Sequence, residues 1–226
     1  RIRDQLPGSR QNRYAWVNVG VETLNGQLLH SLAPAKIGGA PADEWPSRVD
    51  ETLRRLIEAG FFPVVSLILG LPGETPDDIR TTQAWVHRWK ERPLSIFPIF
   101  YEPPTPQPHH PAFTIDQMSR LHLDLFQTCY EMNFQWIPRL FWDNQRCGGV
   151  STFRRSVYQI LGRAEMLLWR LKFAALRRRL PAAIVPPRPL AEGLHKKPER
   201  TRKIDYKQDL FCVRNFFPDP FETQSG

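Results

Sequence analysis

Two short stretches carry residue types able to do chemistry at a useful spacing. In "GVET" Gly20 precedes Glu22 and Thr23, and in "GLPGET" Gly70 and Gly73 precede Glu74 and Thr75. Each follows an apolar run, so each puts one carboxylate at the end of a buried strand. A carboxylate there can accept hydrogen bonds from ribose hydroxyls or an ammonium group. Bare glycine lets a flat ring approach the backbone. Neither corner has a Lys or a GxGxxG, so the site is nucleoside-sized rather than a phosphate cradle. A second reading of the same residues is a well-made strand-to-helix junction. Thr75 is an N-cap, Pro76 sits at N1, and Asp77 and Asp78 favour the positive end of the helix dipole.

The remaining chemistry-bearing residues are weaker. Cys129, Cys147 and Cys212 are too far apart for a CxxC pair or a disulfide framework, so a reducing cytoplasm is the expected compartment. Cys129 falls on an apolar helical stripe and reads as a small buried hydrophobe. Cys147, beside Arg146 in "RCGG", is freer to react. His109 and His110 lie in a Pro-rich loop without acids or cysteines at ligand spacing, so no metal site is read. Tyr101 and Glu102 follow a strand and are candidate substrate contacts by position alone.

The elements that must position these residues follow from periodicity. "WVNVGV" and "FFPVVSLILG" read as buried parallel strands, and "PLSIFPIFYEP" as an irregular third. Between them lie helices from about Pro46 to Ala59 and from about Pro76 to Lys90. The first is expected to bury Val49, Leu53, Leu56 and Ile57 and to expose the pairs Asp50–Arg54 and Glu51–Arg55. The second is expected to bury Ile79, Thr82, Val86 and Trp89. The stretches "ETLNGQLL" and "APAKIGGAPADEWP" are expected to turn and loop. A strand–helix–strand–helix–strand order argues for a parallel sheet.

The organisation expected is an α/β region over 1–102, a Pro-rich linker over 103–112, a helical extension over 113–180 and a flexible, basic, Pro-rich tail over 181–226. With 226 residues, 41% of them apolar, the chain can bury a real core. Its net charge of +8 lies mostly in the C-terminal half. Segment 163–179, "RAEMLLWRLKFAALRRR", mixes Leu, Trp and Phe with Arg and Lys. It reads either as a basic helix packed on the body or as one lying on an anionic membrane surface. Its aromatics share the aliphatic stripe, so no nucleic-acid stacking platform is expected.

Residues 14–140 carry a resemblance. "VNVGVETLNGQLL", followed by "EWPSRVDETLRRLIEAGFFPVVSLILGLPGETPDDIRTT", resembles the C-terminal half of the radical S-adenosylmethionine core domain. The likeness is to the branch with an N-terminal cobalamin-binding domain. Gly20, Glu22 and Thr23 match the family's strand-four pattern. Gly70, Pro72, Gly73, Glu74 and Thr75 match its strand-five pattern. "MSRLHLDLFQTCYEMNFQWIP" is similar to the helical segment after the barrel. The chain departs from the family's frequent Gly-Ser with Leu24 and Asn25, and it has no CxxxCxxC triplet.

The resemblance implies the back half of an open, partial (β/α) barrel. It implies S-adenosylmethionine as cofactor, with Glu22 near the ribose, Ile68, Gly70 and Leu71 against the adenine, and Glu74 bracing the turn. A [4Fe-4S] cluster would be held by a preceding segment, with cobalamin possible on a further domain, so this chain alone is expected to be inactive. A small-molecule or lipid-like substrate and an electron donor such as a reduced flavodoxin or ferredoxin are the implied partners. The alternative is a non-catalytic half-barrel module with a basic helical tail that recruits a membrane or partner.

Overall fold

The computed structural model describes residues 15–103 and 111–182, all within one compact unit. The expectations at His109, His110 and Cys212, and nearly all of the tail, lie outside the described residues.

The strands are β1 (Ala15–Glu22), β2 (Phe61–Leu69) and β3 (Ser95–Phe100), in the order β1-β2-β3 and all parallel. The helices are α1 (Gly26–Leu32), α2 (Pro34–Ile37), α3 (Trp45–Glu58), α4 (Pro76–Trp89), α5 (Arg120–Cys147) and α6 (Thr152–Arg179). The architecture is therefore mixed α/β with a small parallel sheet. Strand pairing aligns Gly20 with Ser66, and Ser66 with Phe97, so all three strands end at one edge.

Alternation explains which face packs. Pro63, Val65, Leu67 and Leu69 of β2 are buried, with Val21, Ile96 and Pro98 on the same face. On the other face Trp16, Asn18 and Gly20 are exposed, while Val64, Ser66 and Ile68 are half-buried. Among the described residues no strand pairs with the outer edge of β1.

The α4 face runs as expected, with Ile79, Thr82, Val86 and Trp89 buried together with Trp85. The α3 face buries Val49 and Leu53, but its charge pairing differs from expectation. Glu51 takes both Arg54 and Arg55. Asp50 turns inward and accepts from the indole Nε1 atoms of Trp85 at 2.6 Å and Trp89 at 2.8 Å. A partly buried carboxylate gains more from two fixed indole donors than from an exposed arginine. The turn expected over 22–29 and the loop expected over 33–46 are also corrected, because α1 begins in the first and α2 and a short 3-10 turn lie in the second. Asn25 caps α1 by accepting from Leu28 N, Pro34 starts α2, and Gly38 closes it with φ +64°.

α5 packs on the sheet. Buried Asn133 accepts from Ile96 N at 2.8 Å and donates to Ile96 O at 2.7 Å. One side-chain amide thus satisfies both backbone groups of an edge residue, as a further strand would. α6 returns along α5 as a helical hairpin. Phe126, Tyr130, Trp169 and Phe173 form an aromatic cluster between them, and Gln159 donates to the Pro138 carbonyl.

Replacing Asn133 by Leu keeps the bulk but leaves two buried backbone groups unpaired. Urea unfolding should then show a loss of about 2–5 kcal/mol. A loss below about 0.5 kcal/mol would mean that water or a shifted backbone satisfies Ile96 equally well.

Candidate functional site

The corner after β1 is built on a strained residue. Glu22 has φ +66°, the one positive value at a non-glycine among the described residues. Thr23 N donates back to Val21 O at 2.8 Å across it, which makes a tight three-residue turn. The ladder to β2 slips by one residue between Gly20 and Glu22. A left-handed carboxylate residue costs about 1–2 kcal/mol, so its surroundings must over-determine it.

Those surroundings are visible. Trp45 Nε1 donates to Thr23 O at 2.8 Å, and Asn25 N donates to Thr23 Oγ1 at 3.1 Å. Thr23 is buried. The Glu22 carboxylate folds back over Gly20 and pairs with Lys36 of α2. A Cβ at residue 20 would sit 2.7 Å from Glu22 Oε1 and 2.9 Å from Lys36 Nζ. The bare backbone at Gly20 is therefore what lets an ion pair lie against the strand end.

The corner after β2 is a type II turn over Leu71–Glu74. Glu74 N donates to Leu71 O at 2.9 Å, Pro72 occupies the second position, and Gly73 takes φ +87° at the third. Glu74 Oε2 accepts from Gly70 N at 2.8 Å, so its carboxylate ties the corner shut from inside. Thr75 then caps α4 in a reciprocal box, accepting from Asp78 N and donating its own N–H to Asp78 Oδ2 at 2.8 Å.

The two corners are joined. Asp78 Oδ1 accepts from Asn25 Nδ2 at 2.8 Å, so a single carboxylate serves the α4 cap and holds the loop after β1. The structure thus brings Gly20, Glu22, Thr23, Gly70, Leu71 and Glu74 to one edge of the sheet, with Ile68 half-buried just below on the open face. Leu71 is buried. Gly70 has φ +76°, and a Cβ there would lie 2.1 Å from the Phe113 ring. A flat ring does rest on Gly70, but it is the protein's own. Phe113 is anchored by its N–H to Tyr101 O, and Tyr101 N donates to Leu69 O, both at 2.9 Å. Tyr101 is half-buried and Glu102 is exposed.

Below this edge lies a buried polar chain. Ser119 N donates to His122 Nδ1 at 3.2 Å, and His122 Nε2 lies 3.7 Å from Glu74 Oε2. Ser119 is fully buried, and its hydroxyl caps α5.

The cysteines divide as their surroundings dictate. Burial pushes the Cys129 thiol well above its ordinary range, which leaves it inert, and Cys147 at the end of α5 is exposed. No group of three or more His, Cys, Asp and Glu side chains gathers among the described residues. This donor set does not fit a [4Fe-4S] cluster. A separate cleft of about 360 Å³ opens between α4, α5 and α6, lined by Gln83, His87, Asp124, Glu131 and Arg177 among others.

Sequence reasoning missed Lys36 and Phe113, gave Asp78 only a helix-dipole role, and noted Asn25 only as a departure from the family pattern. The Thr-x-x-Asp box over Thr75–Asp78 was a legible cap signal. Contacts such as Phe113 on Gly70 carry no local pattern. No protein-family model, curated protein or solved structure matches the chain.

Gly70→Ala should destabilise the protein by about 2–5 kcal/mol, from left-handed strain plus overlap with Phe113. In combination with Phe113→Ala the two losses should fall short of their sum by about 1–3 kcal/mol, measured by thermal or urea unfolding. Additive losses would mean that the ring does not occupy the glycine's space.

Proposed function

We propose that this chain is the C-terminal part of a radical S-adenosylmethionine enzyme, built on a partial (β/α) barrel, whose paired strand-end corners bind the adenosine of the cofactor. The observation that carries this reading is Glu22. It is held in a strained left-handed conformation at a strand end, half-exposed beside its neighbour's glycine corner. Such strain is retained where it serves a site. Parallel α/β sheets bind ligands at this carboxyl edge. The partly open sheet face, and the edge of β1 that no strand among the described residues pairs with, suit a sheet extended by further strands.

In this reading Glu22 accepts from the ribose hydroxyls, sharing its carboxylate with Lys36. Ile68 and Leu71 supply apolar wall, and Glu74 keeps the corner rigid through Gly70 N–H. S-adenosylmethionine held at Glu22, Ile68 and Leu71 would supply radical hydrogen-abstraction chemistry or, with cobalamin, methyl-transfer chemistry. The [4Fe-4S] cluster would be held by residues outside this chain, and an external reductant would feed it.

One observation favours the second reading, a non-catalytic binding module. Both corners are satisfied internally, Glu22 by Lys36 and Gly70 by Phe113. Equilibrium dialysis separates the two. The enzyme reading predicts that the chain binds S-adenosylmethionine, that S-adenosylhomocysteine competes, and that Glu22→Ala weakens binding by about tenfold or more. It also predicts no 5′-deoxyadenosine from the chain alone after anaerobic loading with iron and sulfide. Absence of binding at millimolar cofactor would leave the module reading standing.

A further inference from the structure

We propose that the outward face of α6 is a docking surface for an anionic lipid membrane. This inference is independent of the nucleoside site, and it extends the basic segment 163–179 to nearly the whole helix.

α6 has two faces of opposite fate. Its inward side, through Gln159, Trp169, Phe173 and Leu180, is held on α5. Its outward side is apolar and uncovered. Phe153, Val157, Ile160, Leu167 and Leu171 recur at spacings of three, four and seven residues, which align them along one stripe. Phe153 is 78% exposed, Ile160 67% and Leu171 59%. Leu161 and Leu168 widen the stripe. Eight of the ten exposed large hydrophobics among the described residues lie on this helix. Such concentration marks an interaction surface, where scattered exposure would mark nothing.

Charge selects the occupant. The helix carries eight Arg and Lys against one acid, Glu165. At 100° per residue Arg154, Lys172 and Arg179 border the apolar stripe on one side, Arg163, Arg170 and Arg177 border it on the other, and Arg178 closes its C-terminal end. Arg170 and Arg177 also reach Glu131 and Asp124 of α5, which fixes that border to the body. An apolar stripe between two cationic borders fits a bilayer interface whose headgroups are anionic. The leucines enter the acyl boundary, and the long basic stems extend to the headgroups. A second copy would bring the same cations against these borders. No helix among the described residues is long and apolar enough to cross a membrane, so the contact is interfacial. At 28 residues, α6 offers a line of about 42 Å.

Co-sedimentation of the full chain with vesicles tests this, using equal parts of phosphatidylglycerol and phosphatidylcholine against phosphatidylcholine alone. The chain should pellet with the anionic vesicles and not with the neutral ones. The variant Ile160→Ser/Leu167→Ser/Leu171→Ser, altered only at exposed positions, should bind them more weakly by roughly tenfold or more, with unchanged circular dichroism. Equal partition to both vesicles would overturn the proposal. So would salt-sensitive binding that the triple variant retains, which would place the contact on the basic tail. A lipid-free dimer that the triple variant dissolves would assign the face to a second copy and overturn it as well.

Discussion

The carboxylate of Glu74 is the constraint on which the sheet edge depends. Its side chain is only 7% exposed, and it answers the Gly70 N–H at 2.8 Å from four residues downstream. A hydrogen bond to a charged group contributes about 1.5–3 kcal/mol, whereas a buried acid without partners costs several. The corner is therefore held in one conformation. That conformation fixes where α4 begins, how Gly70 faces Phe113, and what His122 of α5 meets. Sheet and helical hairpin are coupled at this point, and again at Asn133.

The second corner is fixed more weakly, and the difference matters for binding. Glu22 is strained, partly buried and paired with a partly buried lysine. Phe113 on Gly70 packs against Phe100 and His122 and is harder to displace. Asp78 links the corners, so movement of one is felt by the α4 cap of the other.

Much of this architecture was legible from local pattern. The apolar runs marked all three strands, Leu-Pro-Gly-Glu marked the turn, and Thr75 with Pro76 marked the start of α4. The carboxylates at both strand ends were visible because glycine and acid recur there together. What was not legible depends on contacts between distant residues. Asp50 was read as an exposed partner of Arg54, but its environment is set by Trp85 and Trp89 on another helix. The helices α1 and α2 were read as loop because their Gly and Pro content hides short caps. On α6, apolar residues occupy both sides, so periodicity alone did not say which side would meet α5.

The account turns on one claim, that the two strand ends act together as a nucleoside site. Heteronuclear NMR of the nitrogen-labelled chain titrated with S-adenosylhomocysteine tests it most directly. The account predicts that the amides of Gly20–Thr23 and Ile68–Thr75 shift together along one binding curve. Shifts confined to one corner, or only to residues lining the cleft between α4, α5 and α6, would contradict it.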